Sequence, residues 1–247
     1  MNIFERVAKR LKREEESAFE GNPISGDFFE ISHSTDAKVI GRKFPQTDFI
    51  ELSIAHAIKF HEIQTANLKF NEIRLYPSSK LTDCVSTAAI SAHGFLLSER
   101  ALDIFKKFHL GTHKTFPAKM KFEGQNHSYF YLQIKNDTMQ SIDFKRSSFY
   151  IVDTLSVPVK DFEINNEQEY NVISKKIFLG EMDEIEEYSS LNLKKAVFLK
   201  DARIPDFFTI DACRTTLFIT QRLNDRIIEA GLTGFEITPT KRIVIEG

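Results

Sequence analysis

A short apolar run that passes directly into a helix start occurs twice in this chain, and that repeated grammar constrains the fold more than any other feature. Phe95-Leu-Leu97 has the character of a buried strand, Ser98 is a good N-cap, and Glu99 places an acid where the helix dipole favours one. The helix is predicted to run to about His109. Leu102, Phe105 and Phe108 share one face, Lys106 and Lys107 point away, and Gly111 supplies the stop. Leu217-Phe-Ile219 repeats the pattern, leading through Thr220 into a helix with Leu223, Ile227 and Ile228, then Gly231, Gly234 and a strand from Phe235. Ser98-Glu-Arg100 with Asp103 matches Thr220-Gln-Arg222 with Asp225 position for position. Two unrelated helices sharing a start signal, or one duplicated strand-helix-strand unit, would both produce this. Ala101 and Leu223 at the third helical position leave neither copy a reciprocal capping box.

Other segments fill in around the two units. Asn2 to Glu20 reads as an amphipathic helix, with Ile3, Val7 and Leu11 on one stripe and basic residues paired by Glu5, Glu14, Glu15 and Glu16. Asp27 to Ser32 reads as a strand. Asp48 is a candidate cap for a helix from Thr47 to Phe60, and Glu72 to Tyr76 reads as a strand closed by Pro77. Leu81 to Ser91 shows no clear period. Phe116 to Phe122 and Tyr129 to Ile134 make a hairpin across Gly124-Gln-Asn126, with a third strand expected near Ser141 to Phe144. Asn165 to Tyr170 is polar enough for an inter-lobe connection, while Ala196 to Leu199 and Phe207 to Ile210 are strand candidates. The expected fold class is α+β, in two lobes with small, mainly antiparallel sheets and packed helices. Residues 1–80 form a helical or mixed N-terminal segment, 81–165 the first strand-helix-strand unit, and 166–247 the second.

Bulk properties narrow the partners. With 33 Lys and Arg against 35 Asp and Glu, the formal charge is −2, so no global basic field favours nucleic acid. No stretch approaches the roughly 20 apolar residues of a membrane span, and the N-terminus lacks a secretory apolar run, so a cytoplasmic protein with no membrane partner is expected. The two cysteines, Cys84 and Cys213, sit among apolar and small residues, as buried reduced thiols do. A count of 23 Phe and no Trp points to a core of large rings without polar handles.

Chemistry borne by local motifs is hard to find. His56 and His61 are spaced badly for a shared helical face, and His109 and His113 straddle Gly111. Asp201, Asp206 and Asp211 recur every five residues but lack calcium-loop spacing, so turn and strand-edge roles are expected of them. No nucleophile elbow, phosphate-binding glycine loop or dinucleotide fingerprint occurs. Hence no catalytic, metal or cofactor residues are expected, and the chain is read as a non-enzyme.

Several framework motifs carry a family resemblance. They are Phe95-Leu-Leu-Ser-Glu-Arg100, Phe116-Pro117, Tyr129-Phe-Tyr-Leu132, Ile142-Asp-Phe144 with Ser147, Lys194-Lys-Ala-Val-Phe198, Leu217-Phe-Ile-Thr220 and Gly231-Leu-Thr-Gly-Phe235. Over roughly residues 83–240 the chain resembles immunity proteins of bacterial polymorphic-toxin and contact-inhibition systems, the group with the myxobacterial-type immunity domain. The resemblance implies a cytoplasmic binder that neutralises a cognate toxin by stoichiometric occlusion. For a nuclease toxin, with its basic groove, Glu181, Asp183, Glu184, Glu186 and Glu187 are the partner-binding candidates, although such a run also serves as a solvated helix or loop. The competing expectations are an adaptor of mobile-element origin and an enzyme with a dispersed inter-lobe site, for which a pocket holding His93, Arg100 and Asp103 would speak.

Overall fold

Residues 27–42, 44–52, 70–86, 94–135, 138–155, 157–183, 185, 189–213 and 216–245 are described by the structure, a computed structural model. The predicted N-terminal helix and the histidines at 56, 61 and 93 lie outside them. The fold is α+β, with mixed antiparallel and parallel pairing. Six strands form the largest sheet, in the order β2 (Thr47–Leu52), β3 (Phe70–Leu75), β6 (His113–Phe122), β7 (Gln125–Ile134), β5 (Gly94–Ser98), β4 (Cys84–Val85). Its pairs are antiparallel except β3 with β6. A second sheet has the order β11 (Phe207–Thr209), β12 (Leu217–Thr220), β1 (Phe28–His33), β13 (Phe235–Thr240), all antiparallel. The third runs β14 (Ile243–Ile245), β10 (Ser190–Phe198), β8 (Ser148–Val152), β9 (Pro158–Phe162), with β10 and β14 parallel. Among the described residues four α-helices accompany them: α1 (Ala37–Ile40), α2 (Glu99–Phe105), α3 (Glu167–Phe178) and α4 (Gln221–Glu229).

The core follows from strand alternation. Along β4 and β5, Cys84, Phe95 and Leu97 enter one cluster, while Val85 and Leu96 enter another with Ile73, Phe116, Met120 and Tyr131. The first cluster joins the two units. Leu102 and Phe105 of α2 meet Leu223 and Ile227 of α4 there, together with Ile31, Phe207 and Ile219. Four rings close it: Phe95 stacks on Phe207 at 5.4 Å and Phe105 on Phe235 at 5.8 Å, while the crosswise pairs, Phe95 with Phe235 and Phe105 with Phe207, meet edge to face. A third cluster packs α3, through Tyr170 and Ile177, on β8 and β10, and also takes Phe28, Phe208 and Phe218.

Four expectations change. Thr47 to Leu52 is a strand rather than the start of a capped helix, because its backbone groups are satisfied across the sheet by β3. Near residue 142 a 3-10 turn, Met139–Ser141, and a single bridge from Ile142 to Phe198 replace the third strand, which begins only at Ser148. Asn165 to Tyr170 is a helix start, not a connection: Asn166 accepts from the Glu169 N–H at 2.8 Å, and the Glu169 carboxylate accepts from the Asn165 N–H at 2.7 Å. Helix α2 stops at Phe105, four residues before its predicted end, as Lys107 and Phe108 tighten into three-residue turns.

Candidate functional site

The two helix starts are held by the same device, which local sequence reading did not disclose. Asp83 and Asp206 each lie immediately before the strand that pairs with the strand feeding the helix, fifteen residues ahead of Ser98 and fourteen ahead of Thr220. Ser98 N–H donates to the Asp83 carbonyl at 2.8 Å, and Thr220 N–H to the Asp206 carbonyl at 3.0 Å. The hydroxyls then donate to the carboxylates, Ser98 Oγ to Asp83 Oδ1 at 2.8 Å and Thr220 Oγ1 to Asp206 Oδ1 at 2.7 Å. Two residues on, the arginines close a bidentate fork. Arg100 Nε and Nη2 reach Asp83 at 3.2 and 2.7 Å; Arg222 Nε and Nη2 reach Asp206 at 3.0 and 2.5 Å.

Each carboxylate also takes a backbone N–H from the loop behind the other unit's helix. Thr233, after α4, donates to Asp83 Oδ2 at 2.9 Å, and His109, after α2, donates to Asp206 Oδ2 at 3.0 Å. The clamps therefore tie α2 and α4 to each other's loops. Gly234 permits this approach on one side: a Cβ there would lie 2.1 Å from the Cys84 carbonyl oxygen, and its φ is +87°.

The carboxylates are well supplied with donors. Asp83 accepts from the Ser98 hydroxyl, from Nε and Nη2 of Arg100, and from both N–H and hydroxyl of Thr233. Burial would raise its pKa, but the Arg100 and Thr233 hydrogen bonds, with help from Ser98, outweigh that and hold it below the usual 3.8. An ionised carboxylate so saturated is an anchor, poorly suited to accept a substrate proton. Asp206 is still more enclosed, its side chain 3% exposed: it holds the strand-edge place expected of it, immediately before β11, and is there a buried ion-pair partner. Of the other members of that series, Asp201 is exposed and Asp211 begins a 3-10 turn.

Over the first clamp opens a cleft of about 560 Å³, lined by Leu81, Asp83, Ser98, Glu99, Arg100, Thr233 and the Asn126-His-Ser-Tyr129 stretch of β7, with Thr82. Arg100 thus does lie in a concave polar cluster. Asp103 is not among its lining residues, and Tyr129 hydrogen-bonds the Thr82 carbonyl at 2.5 Å. Of the acidic candidates, Glu181 and Asp183 lie elsewhere, in and after the turn that ends α3. Glu181 and Asp183 are exposed, and Met182 and Ile185 between and beside them pack on the α3 core. Glu184, Glu186 and Glu187 lie outside the described residues.

Among the described residues no three His, Cys, Asp or Glu side chains gather as metal ligands, and no helix is long and apolar enough to cross a membrane. Cys84 and Cys213 are free and buried; burial pushes the Cys213 thiol up to about 12 and raises Cys84 as well. The chain matches no family model and no curated protein sequence.

Proposed function

We propose that this chain is an immunity-type protein that neutralises a cognate bacterial toxin in the cytoplasm by stoichiometric occlusion, without catalysis. The observation that supports it is the way the resemblance-bearing motifs, dispersed in sequence, meet in space. Gly231-Leu-Thr-Gly-Phe235 docks on the first strand-helix unit, with Thr233 on Asp83 and the Gly231 carbonyl accepting from Arg100 at 3.2 Å. Tyr129-Phe-Tyr-Leu132 pairs with Phe95 to Ser98 on one side and with Phe116 to Ala118 on the other. Ser147 donates to the Asp143 carbonyl at 2.7 Å and accepts from Val197 N–H at 2.9 Å, joining the Ile142-Asp-Phe144 and Lys194-Lys-Ala-Val-Phe198 motifs. These residues form framework contacts, as motifs shared for fold reasons do. They leave the surface free to vary with the toxin.

We also infer that the two units arose by duplication. The order β11-β12-β1-β13 then corresponds to β4-β5-β7-β6, with β1 from the N-terminal side standing where β7 stands. Shared clamp geometry supports this reading.

The test is co-expression with the product of the adjacent gene. A neighbouring product that is toxic alone, tolerated with this chain, and recovered with it in one-to-one complex is the expected result; failure of neighbouring products to bind would leave the adaptor reading ahead. Reversing the charges of Glu181, Asp183, Glu184, Glu186 and Glu187 checks the nucleic-acid-mimicry version, which predicts weaker binding and a shallower salt dependence. The polar cleft favours one alternative, an enzyme whose site includes Arg100 and His127. That reading predicts loss of protection in a His127→Ala variant that still binds the toxin.

A further inference from the structure

We propose that the cleft over the Asp83–Arg100 clamp is a recognition site for a basic side chain, an arginine above all, presented by a partner protein. The proposal deepens the immunity reading, since it names the chemistry of the partner at one site, and it rests on that reading only for the identity of the partner.

The argument starts from which polar groups are already committed. In the floor, Asp83, Ser98 and Thr233 spend their hydrogen bonds on one another and on Arg100. The walls differ. Glu99, Asn126, His127 and Ser128 make no side-chain hydrogen bond or ion pair among the described residues, yet all four line the same cleft. Asn126 and Ser128 share one face of β7, and polar side chains without internal partners at the edge of a concavity are what fix the orientation of a ligand.

Charge then selects the ligand. Arg100 and Asp83 neutralise each other at 2.7 Å, so Glu99 leaves the lining with an excess negative charge. Its carboxylate, the Asn126 side-chain carbonyl and the Ser128 hydroxyl offer acceptors to a planar guanidinium, and Leu81, 40% exposed, offers an apolar contact for its aliphatic stem.

The second clamp shows that the framework does not require this carboxylate. Gln221 occupies there the place of Glu99, and its amide donates to Asp225 at 2.6 Å, four residues on. The ion pair, the hydroxyl bond and the loop contact are all present with a neutral side chain at that position. Glu99 complements the N-terminal end of α2, and beyond that its carboxylate has no hydrogen-bond or ion-pair partner among the described residues.

The direct test titrates the full chain with N-acetyl-argininamide and, separately, N-acetyl-glutamate amide, following backbone amide NMR signals. Saturable shifts confined to Glu99, Asn126, His127 and Ser128 with the arginine probe, weakened roughly fivefold in E99Q, are expected. No saturable shift, a preference for the glutamate probe, or equal affinity in E99Q overturns the proposal. Circular dichroism checks that E99Q remains folded, and N126A supplies a second variant expected to weaken the probe. The toxin distinguishes the two readings. A neighbouring gene product that binds wild type and E99Q equally removes the cleft from the interface and leaves the immunity function standing. Arginine binding without any toxin partner does the reverse.

Discussion

Asp206 and Arg222 show how much a single pair can carry when one partner is enclosed. Arg222 is 59% exposed along its side chain, whereas the Asp206 side chain is 3% exposed, so removing the arginine strands a charge that water reaches poorly. R222A is expected to cost about 3 kcal/mol, the lower part of the range for breaking a buried pair. R100A should cost less, about 1–2 kcal/mol, because the Asp83 side chain is 11% exposed and keeps the Thr233 hydroxyl in addition to a hydroxyl and a backbone N–H like those left to Asp206. Urea unfolding at pH 7 checks both values. The pH dependence has a definite sign: the folded Asp83 pKa lies below its unfolded value near 3.8, so its stabilisation is present above that value and is lost as the pH falls through the folded pKa. Wild type and R100A should therefore converge in acid, and a difference that persists undiminished there would contradict the role given to this pair.

At the scale of elements, the loops behind α2 and α4 matter as much as the helices. Helix α2 has seven residues, too few to be stable alone, and its start is fixed by Ser98, which accepts from Ala101 N–H at 3.2 Å while donating to Asp83. Thr220 donates its hydroxyl to Asp206 in the same way but accepts no cap bond. Helix α4 depends instead on its apolar contact with the shared core through Leu223 and Ile227. The loop carrying Thr233 and Gly234 seals the first unit: Ser34 N–H donates to the Gly234 carbonyl at 2.7 Å and Cys84 N–H to that of Thr233 at 3.0 Å. Any side chain at Gly234 must displace the Cys84 backbone and also tolerate a left-handed conformation. G234A is expected to lower stability by about 3 kcal/mol. Thermal unfolding measures this, with G124A as the comparison, since a Cβ at Gly124 meets nothing within 4 Å.

Across the whole molecule, the ring quartet of Phe95, Phe105, Phe207 and Phe235 and the exchanged loops make the two strand-helix units interdependent. Cys84 sits in their shared core, and Cys213 in the cluster beneath α3, so the two thiols report on different parts of one structure. Both should resist a thiol reagent in native buffer and react promptly in denaturant. If the parts open together, their labelling rates will follow the same urea dependence. Early labelling of Cys213 alone would separate the α3 cluster from the shared core.

What the sequence determined by itself is local. The apolar runs of β5 and β12, the strand from Phe235, the hairpin strands and the cap at Ser98 depend on neighbouring residues, whose periodicity and cap chemistry are written in order along the chain. A cap signal can still be masked, since the polar run from Asn165 to Tyr170 suits a connection as well as it suits the helix start it forms. Thr47 to Leu52 shows the limit from the other side, since a cap signal at Asp48 lost to a strand partner at β3. Only the tertiary structure decided the functional surface. Asp83 lies in a run without clear period and Asp206 reads as a turn or strand-edge residue, and only the fold, with partners 150 residues away in one case and 97 in the other, places Thr233 and His109 beside them. The cleft combines the N-terminus of α2 with the start of β7 and the loop behind α4, three segments with no common sequence pattern. Their meeting is set by the burial of apolar faces, a non-directional force whose outcome depends on the packing of the whole chain.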